Sequence, residues 1–165
     1  MRIRPATPAD YAALQQVEVA AGALFRAIGM DAIADDDPPS VDELAAAAAV
    51  FVADVDDTPV GYARVELVDG QAHLEQLSVL PEHGGRGIGT ALLHAVCAWA
   101  HDRGDRAVTL TTFREVAFNA PLYAKRGFEE VPEPEWPAGI RTLVAEETAH
   151  GLDPAQRVVM RRPLR

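Results

Sequence analysis

Residues 74–93 read LEQLSVLPEHGGRGIGTALL, and they form the most informative segment of this chain. The beginning of the segment predicts a strand that ends before Pro81. A glycine-rich run from Gly84 to Gly89 follows, and apolar residues then recur at helical spacing, at Ile88, Leu92, Ala95 and Trp99. In such an arrangement unshielded backbone N–H groups and a helix N-terminus converge on an anion. The segment therefore predicts a phosphate site.

Two common kinds of phosphate loop do not fit this segment. A P-loop requires glycine, lysine and then serine or threonine, whereas Gly89 is followed directly by Thr90. A dinucleotide fingerprint requires a third glycine, where Leu92 stands, and an acidic residue at the end of the next strand. Asp105 precedes that strand instead of ending it. Two interpretations of the segment remain. It binds a different phosphate ligand, or it is a glycine-rich turn without a ligand.

A β-hairpin precedes the glycine-rich run. Asp69-Gly70 is a strong signal for a two-residue turn, and strands are expected on either side of it. The antiparallel register of such a turn places Glu66 opposite His73. Two residues further from the turn, Arg64 lies opposite Glu75. These four ionisable side chains share one face of the hairpin, and we expect that face to lie outside the packed core.

The rest of the chain alternates between helical and extended patterns. Helices are predicted from Pro8 to Leu24, from Val41 to Ala48 after a capping box at Ser40 and Glu43, and over residues 117–125. Strands are predicted around Ile3 and over residues 50–53, 60–68, 71–79 and 107–111, with two more from Phe128 and over 157–160. Residues 132–137 are predicted to form a proline-rich loop. These patterns indicate an α/β chain.

Composition limits the classes of partner. The 15 basic and 25 acidic residues give a net charge of −10, which disfavours nucleic acid and anionic membranes and suits an amine substrate. The 165 residues, 48% of them hydrophobic, are enough for one domain, 1–165, and too few for two ordinary ones. We see neither a secretory signal nor the ~20 apolar residues of a membrane span, so a cytoplasmic protein is expected.

The cysteine and histidine residues indicate no metal or redox chemistry. The single cysteine, Cys97, lies in an apolar run, and we expect it to be a core residue in a reducing compartment. His94 and His101 are seven residues apart on one predicted helix, but no cysteine or acidic residue completes a zinc pattern. We therefore predict no metal.

Two motifs make the chain resemble the GNAT superfamily of N-acetyltransferases. Residues 74–93 look like that family's central strand and its acetyl-CoA loop, written Arg/Gln-x-x-Gly-x-Gly/Ala. Residues 119–128, NAPLYAKRGF, are similar to the family's Asn-x-x-x-Tyr helix and the Gly-Phe that follows it. The resemblance is specific from Val60 to Phe128. It implies an α/β GNAT fold, which is a mixed, mostly antiparallel sheet of about six or seven strands with helices on both faces.

The resemblance also implies how acetyl-CoA is held. The pyrophosphate would be bound by the amides of the loop and the first helical turn, namely Gly85, Arg86, Gly87, Ile88, Gly89 and Thr90. The backbone of Leu77 and Val79 would bond the pantetheine arm, which Asn119 would also contact. Gly84 belongs to the same loop, but it stands where the family usually has Arg or Gln. A side-chain contact to the pyrophosphate is therefore expected to be missing.

Three residues are candidates for the chemistry. Tyr123 lies four residues after Asn119 on the predicted helix, and its phenol is the candidate acid for the leaving thiolate, with packing as the alternative. His73 falls where some family members carry a catalytic glutamate, and we expect it to titrate near neutral pH as the base. Glu75 shares its face as an orienting partner or a counter-charge for the substrate. Cross-strand pairing without a catalytic role, and water as the base, are alternatives.

The expected function is transfer of the acetyl group of acetyl-CoA to a primary amine of a small molecule. Direct attack in a ternary complex is expected, because no suitably placed nucleophile is evident. A protein or peptide N-acetyltransferase and a non-catalytic acyl-CoA-binding module are the alternatives. Dimers are common in the family, so a homodimer is a further expectation.

Overall fold

The computed structural model describes residues 1–164, which form seven strands and seven α-helices. The strands are β1 (Arg2–Pro5), β2 (Ala49–Val55), β3 (Thr58–Val68), β4 (Gln71–Val79), β5 (Ala107–Phe113), β6 (Glu129–Glu130) and β7 (Arg157–Pro163). The helices are α1 (Tyr11–Ala21), α2 (Ala23–Arg26), α3 (Asp31–Ala34), α4 (Val41–Ala46), α5 (Ile88–Arg103), α6 (Ala120–Ala124) and α7 (Ala138–Ala149). None of these helices has the length and apolar composition that crossing a membrane requires, as far as residues 1–164 show.

The strands form one mixed sheet in the order β1-β2-β3-β4-β5-β7-β6. Strands β4 and β5 run parallel and pair at His73 and Thr109, whereas β1–β2, β2–β3, β5–β7 and β6–β7 are antiparallel. The turn between β3 and β4 consists of Asp69 and Gly70, whose φ angles of 53° and 75° are those of a type I′ turn. These features confirm the expected α/β fold and the two-residue hairpin turn.

The chain divides into two compact units. The first contains Met1–Glu66 and Gln76–Val96, and the second contains Leu67–Glu75 and Cys97–Arg165. Because β3, β4 and α5 each contribute residues to both, the unit boundaries pass through these elements. The interpretation of residues 1–165 as a single domain stays a prediction.

Helices cover both faces of the sheet in the first unit. Tyr62 of β3 is fully buried in a core cluster with Leu14 and Val17 of α1, Leu44 of α4 and Val52 of β2. The preceding residue, Gly61, points to the opposite face, because successive strand residues alternate. A Cβ atom at Gly61 would lie 3.4 Å from Leu92 Cδ1 in α5. Helices α1 and α4 therefore pack on one face of β3, and α5 packs on the other.

Helix α7 covers one face of the sheet in the second unit. Ile140 of α7 packs in a core cluster with Val131 and with Val159 of β7. The hairpin turn fixes the start of this helix, since Asp69 Oδ2 accepts a hydrogen bond of 2.9 Å from the Gly139 amide. The opposite face of β7 carries Arg162, whose guanidinium lies 3.7 Å from Cys97 Sγ in α5. Both faces of this part of the sheet are therefore covered as well.

Two helix predictions need correction, and one helix was not predicted. The helix expected from Pro8 to Leu24 is a 3₁₀ turn over Pro8–Asp10 followed by α1 and α2. The helix expected over residues 117–125 spans only Ala120–Ala124. Helix α7 was not predicted, although Ile140, Leu143 and Val144 have helical spacing. Its N-cap position is Pro137, whose side chain makes no cap, and the capping carboxylate of Asp69 is remote in sequence.

Candidate active site

The glycine-rich run has a backbone that side chains rarely adopt. Gly85 and Gly87 have φ angles of 74° and 79°, which L-residues avoid because Cβ meets the carbonyl oxygen. Residues 84–87 are exposed, and α5 begins immediately after them at Ile88. The first N–H groups of a helix have no partner within the helix, and a helix N-terminus therefore favours an anion. The loop therefore has the geometry that an anion-binding turn requires.

Gly84 does not need to be glycine for backbone reasons. Its φ and ψ angles are −63° and 152°, which any residue adopts. A Cβ atom there would lie 3.2 Å from the Pro81 carbonyl oxygen, so a side chain would require only a small shift. Arg86 is exposed nearby, and its Nη1 lies 3.5 Å from His83 Nδ1. A cationic side chain thus accompanies the loop even though Gly84 lacks one.

Gly61 allows the first turn of α5 to pack closely against β4. A Cβ atom at Gly61 would lie 3.0 Å from the Ser78 carbonyl oxygen and 3.3 Å from Val79 Cγ2, closer than side chains normally approach. A Cβ atom at Gly89 would in turn meet Val79 Cγ2 at 4.0 Å. Both Leu77 and Val79 are half-buried. The end of β4 and the start of α5 are therefore held together in the first unit.

His73 is the most deeply buried ionisable candidate. It is 1% exposed, and its Nδ1 lies 2.8 Å from Thr109 Oγ1 on the neighbouring strand β5. Its Nε2 lies 3.8 Å from Glu75 Oε2, and the Glu75 side chain is 30% exposed. Burial, together with the positive charge of Arg157, lowers the pKa of His73 to about 4. The imidazole is therefore neutral at physiological pH.

This result corrects two expectations about the hairpin face. We expected His73 to titrate near neutral pH and the face with four ionisable residues to lie outside the core. Instead His73 is buried, and Arg64 is only 9% exposed. The unpredicted helix α7 explains the burial of His73, because its Glu147 accepts a hydrogen bond of 2.8 Å from Thr111, which shares a face of β5 with Thr109. The register that places Arg64 opposite Glu75 stays a prediction.

Tyr123 occupies a packed position on α6. It is 8% exposed, and its ring meets that of Phe128 edge-on with the centroids 5.7 Å apart. Burial raises the pKa of its phenol, so the hydroxyl stays protonated at physiological pH. Residues 1–164 offer this hydroxyl no hydrogen-bond partner. The ring is thus held in place while the O–H group keeps its hydrogen-bonding capacity.

Asn119 lies one residue before α6, a position just outside the helix. Its carbonyl oxygen accepts the hydrogen bond of 3.0 Å from the Tyr123 amide. Its side-chain Oδ1 accepts from the Phe113 amide at 3.4 Å, which ties the start of α6 to the end of β5. The Asn119 side chain thus helps to position the helix that carries Tyr123.

A polar cluster that the sequence analysis did not select lies in the first unit. Glu18 of α1 accepts hydrogen bonds from Tyr62 Oη at 2.8 Å, Ser78 Oγ at 2.5 Å and Gln76 Nε2 at 3.1 Å. We call Glu18, Tyr62, Gln76 and Ser78 the Glu18 cluster. A sequence signal was present, because Glu18 stands among the inward-facing positions of α1 next to Val17 and four residues after Leu14.

Comparison with known proteins agrees with the fold and the loop. Residues 17–128 match the Acetyltransferase (GNAT) family. The chain is 36% identical over 140 residues to aminoglycoside N(6′)-acetyltransferase type 1 of Stenotrophomonas maltophilia, a match that covers 78% of this chain and 86% of that protein. It is 37% identical over 115 residues to mycothiol acetyltransferase of Nocardiopsis dassonvillei, covering 55% of this chain. That match spans only 34% of the length of the mycothiol enzyme.

Solved structures show the same architecture. The PaiA N-acetyltransferase of Thermoplasma acidophilum, determined in complex with coenzyme A, superimposes with a TM-score of 0.74 over 98% of each chain, at 17% identity. At this identity the likeness concerns the fold alone. The sequence match over residues 17–128 includes the glycine-rich loop and the Tyr123 helix. The chain belongs to the GNAT family of acetyltransferases.

Proposed function

We propose that this enzyme transfers the acetyl group of acetyl-CoA to a primary amine of a small molecule by direct attack in a ternary complex. The observation that carries the proposal is the loop at residues 84–89, where Gly85 and Gly87 adopt positive φ angles directly before α5. Such a loop suits the pyrophosphate of coenzyme A, because backbone N–H groups at a helix N-terminus favour an anion.

Cofactor binding is assigned to the loop and to the end of β4. The amides of residues 85–90 bind the pyrophosphate, and Arg86 adds a positive charge that partly replaces the side chain missing at Gly84. The backbone of Leu77 and Val79 binds the pantetheine arm. Close packing of Val79 against the first turn of α5 supports this assignment, since it keeps strand and loop in fixed positions. Asn119 contributes its remaining side-chain N–H donors to the same arm.

Tyr123 is assigned as the acid. The amine nitrogen forms a bond to the acetyl carbon, the carbon–sulfur bond breaks, and the phenol proton passes to the thiolate of coenzyme A. The packed ring of Tyr123 and its protonated hydroxyl, unpartnered among residues 1–164, support the assignment.

Glu75 is the better candidate for the base. His73 is only 1% exposed, so its ring is not accessible to an ammonium ion that has to give up a proton. The Glu75 side chain is 30% exposed and therefore accessible to an amine or to a water molecule that relays the proton. His73, fixed by Thr109, positions the Glu75 carboxylate from a neutral ring.

Direct attack is favoured over a covalent acetyl-enzyme. The usual nucleophile for such an intermediate is a thiolate, and Cys97 is only 7% exposed. Burial raises the pKa of its thiol, so the thiolate is not formed at neutral pH. The proposed mechanism therefore requires both substrates to be bound together.

Purified enzyme tests this proposal through the release of coenzyme A. A panel of amino acids, polyamines, aminoglycosides and peptides should identify at least one small amine that is acetylated, with intersecting initial-velocity lines. Parallel lines would contradict direct attack. Turnover restricted to peptides would favour a protein acetyltransferase, and binding of acetyl-CoA without turnover on any amine would favour a non-catalytic module.

A further inference from the structure

In the part of the chain that the structure describes, Glu18 is a carboxylate without a basic partner. The three groups that donate to it are neutral: two hydroxyls and an amide. Among residues 1–164 no lysine, arginine or histidine forms an ion pair with it. The guanidinium of Arg64 donates to Gln76 and lies 3.4 Å from Glu66 and 3.9 Å from Glu43. The charge of Arg64 is therefore shared with other carboxylates.

The Glu18 carboxylate also has room for one more donor. An ionised carboxylate accepts about four hydrogen bonds. Within residues 1–164, Oε2 accepts from Tyr62 and Ser78, while Oε1 accepts only from Gln76. Burial and the charge of Glu18 raise the pKa of Tyr62, so its hydroxyl stays a donor and does not compete as a second anion. Glu18, Gln76 and Ser78 are all partly exposed, so solvent reaches this cluster.

The position of the cluster connects it to the proposed cofactor arm. Ser78 stands between Leu77 and Val79, and Glu18 is one hydrogen bond away from it. The Ser78 side chain faces α1, whereas the Val79 side chain faces the first turn of α5. Since strand residues advance by about 3.3 Å, the carboxylate meets β4 within one residue of the backbone assigned to the pantetheine arm. Glu18 lies on the face of β4 opposite to α5.

We propose that Glu18 binds a second ammonium group of the acceptor, so that the preferred substrates are diamines or polyamines. This inference rests on the proposed function. The reacting nitrogen must lose its proton before it attacks, so it cannot at the same time be held as an ammonium ion by Glu18. A second nitrogen, which stays protonated throughout, is the group that Glu18 can hold with benefit. An N–H group of this second ammonium donates a hydrogen bond to Oε1 of Glu18, which has room for another donor.

The test compares two acceptors that differ in one charge. Binding of 1,4-diaminobutane and of n-butylamine to the enzyme loaded with coenzyme A is measured by calorimetry, alongside steady-state kinetics. We expect the diamine to bind about tenfold more tightly or better, as a charge-assisted hydrogen bond would provide. In Glu18→Gln the Kd and KM of the diamine should rise until the preference disappears, while kcat is largely retained.

Two further variants separate binding from a structural role. Asp102→Asn removes one negative charge from a side chain that is 86% exposed, and it should keep the preference for the diamine. Ser78→Ala removes a donor from the cluster but no charge. If Glu18→Gln and Ser78→Ala lower the melting temperature alike and both keep the preference, the cluster is structural and the proposal is wrong. No preference in the wild-type protein would also overturn it.

The two proposals fail in different ways. If acetyl-CoA does not bind or no amine releases coenzyme A, the proposed function fails. Calorimetry with the two amines still measures the charge preference in that case. If turnover occurs with n-butylamine and 1,4-diaminobutane at the same kcat/KM in both wild type and Glu18→Gln, the function stands and the role of Glu18 is refuted.

Discussion

Replacing Gly87 by alanine tests whether the loop conformation serves the cofactor. Gly87 has a φ angle of 79°, and a Cβ atom there would have no neighbour within 4 Å. The cost is therefore conformational and not steric, about 1–2 kcal/mol for an L-residue in this region. If the loop of the variant adopts another conformation when coenzyme A is absent, the cost is incurred on binding. The Kd of coenzyme A then rises by about 5- to 30-fold. If the loop does not relax in this way, the cost appears as a loss of stability.

A glycine at the other end of α5 provides a control variant. Gly104, just after the C-terminal end of α5, has a φ angle of 88° and likewise no neighbour within 4 Å of its Cβ position. Gly104→Ala should cost about the same 1–2 kcal/mol, which lowers the melting temperature by about 2–8 °C in a chain of this size. Its Kd for coenzyme A should equal that of the wild type.

Calorimetric titration with coenzyme A and thermal unfolding of both variants provide the measurements. We expect the Kd of coenzyme A to rise in Gly87→Ala and not in Gly104→Ala. The total free-energy cost, counted as lost affinity plus lost stability, should be about the same in the two variants. If Gly87→Ala keeps the wild-type Kd and the wild-type melting temperature, the positive φ angle is not needed. A weaker affinity in Gly104→Ala of equal size would show that the effect is not specific to the loop.

Four further substitutions address the other assignments. Tyr123→Phe keeps the contact with Phe128 and should keep the stability, while kcat falls about 100-fold; an unchanged kcat would remove the acid role. Glu75→Gln should lower kcat about 100-fold, and an unchanged kcat would contradict its role as base. Gly84→Arg should tighten coenzyme A binding about three- to tenfold, and weaker binding would refute a vacant side-chain position. Because the pKa of His73 is lowered to about 4 in the folded protein, its contribution to stability is full above the ordinary value of 6.5 and decreases as the pH falls towards 4. Between pH 7.5 and pH 5, the free energy of unfolding should therefore fall by about 2 kcal/mol more in the wild type than in His73→Gln. Urea titrations at the two pH values measure this difference. Equal losses of stability in the two proteins would contradict the burial of a neutral ring.

The cofactor loop could be predicted because its signals are local. The positive φ angles of Gly85 and Gly87 and the start of α5 at Ile88 depend on residues that are adjacent in sequence. The same is true of the Asp69-Gly70 turn and of the capping box at Ser40. Strand bounds were accordingly close to those of the structure.

The state of His73 could not be predicted because it depends on contacts distant in sequence. Helix α7, which packs on the face shared by Thr109 and Thr111, takes its N-terminal hydrogen bond from Asp69, 70 residues earlier. The polar residues of the hairpin therefore looked exposed, although a later helix covers them. The Glu18 cluster was missed for a similar reason, since its four residues come from α1, β3 and β4.

The alternation of side chains along β4 offers a reason why acceptor preference and cofactor binding can change separately. Val79 faces the first turn of α5, and Ser78, the residue before it, faces α1 and Glu18. A substitution that alters one face leaves the other face intact, because neighbouring strand residues point in opposite directions. Glu18→Gln should therefore alter the choice of amine without altering the Kd of coenzyme A. A large effect of Glu18→Gln on that Kd would show instead that the two faces are coupled through the backbone of β4.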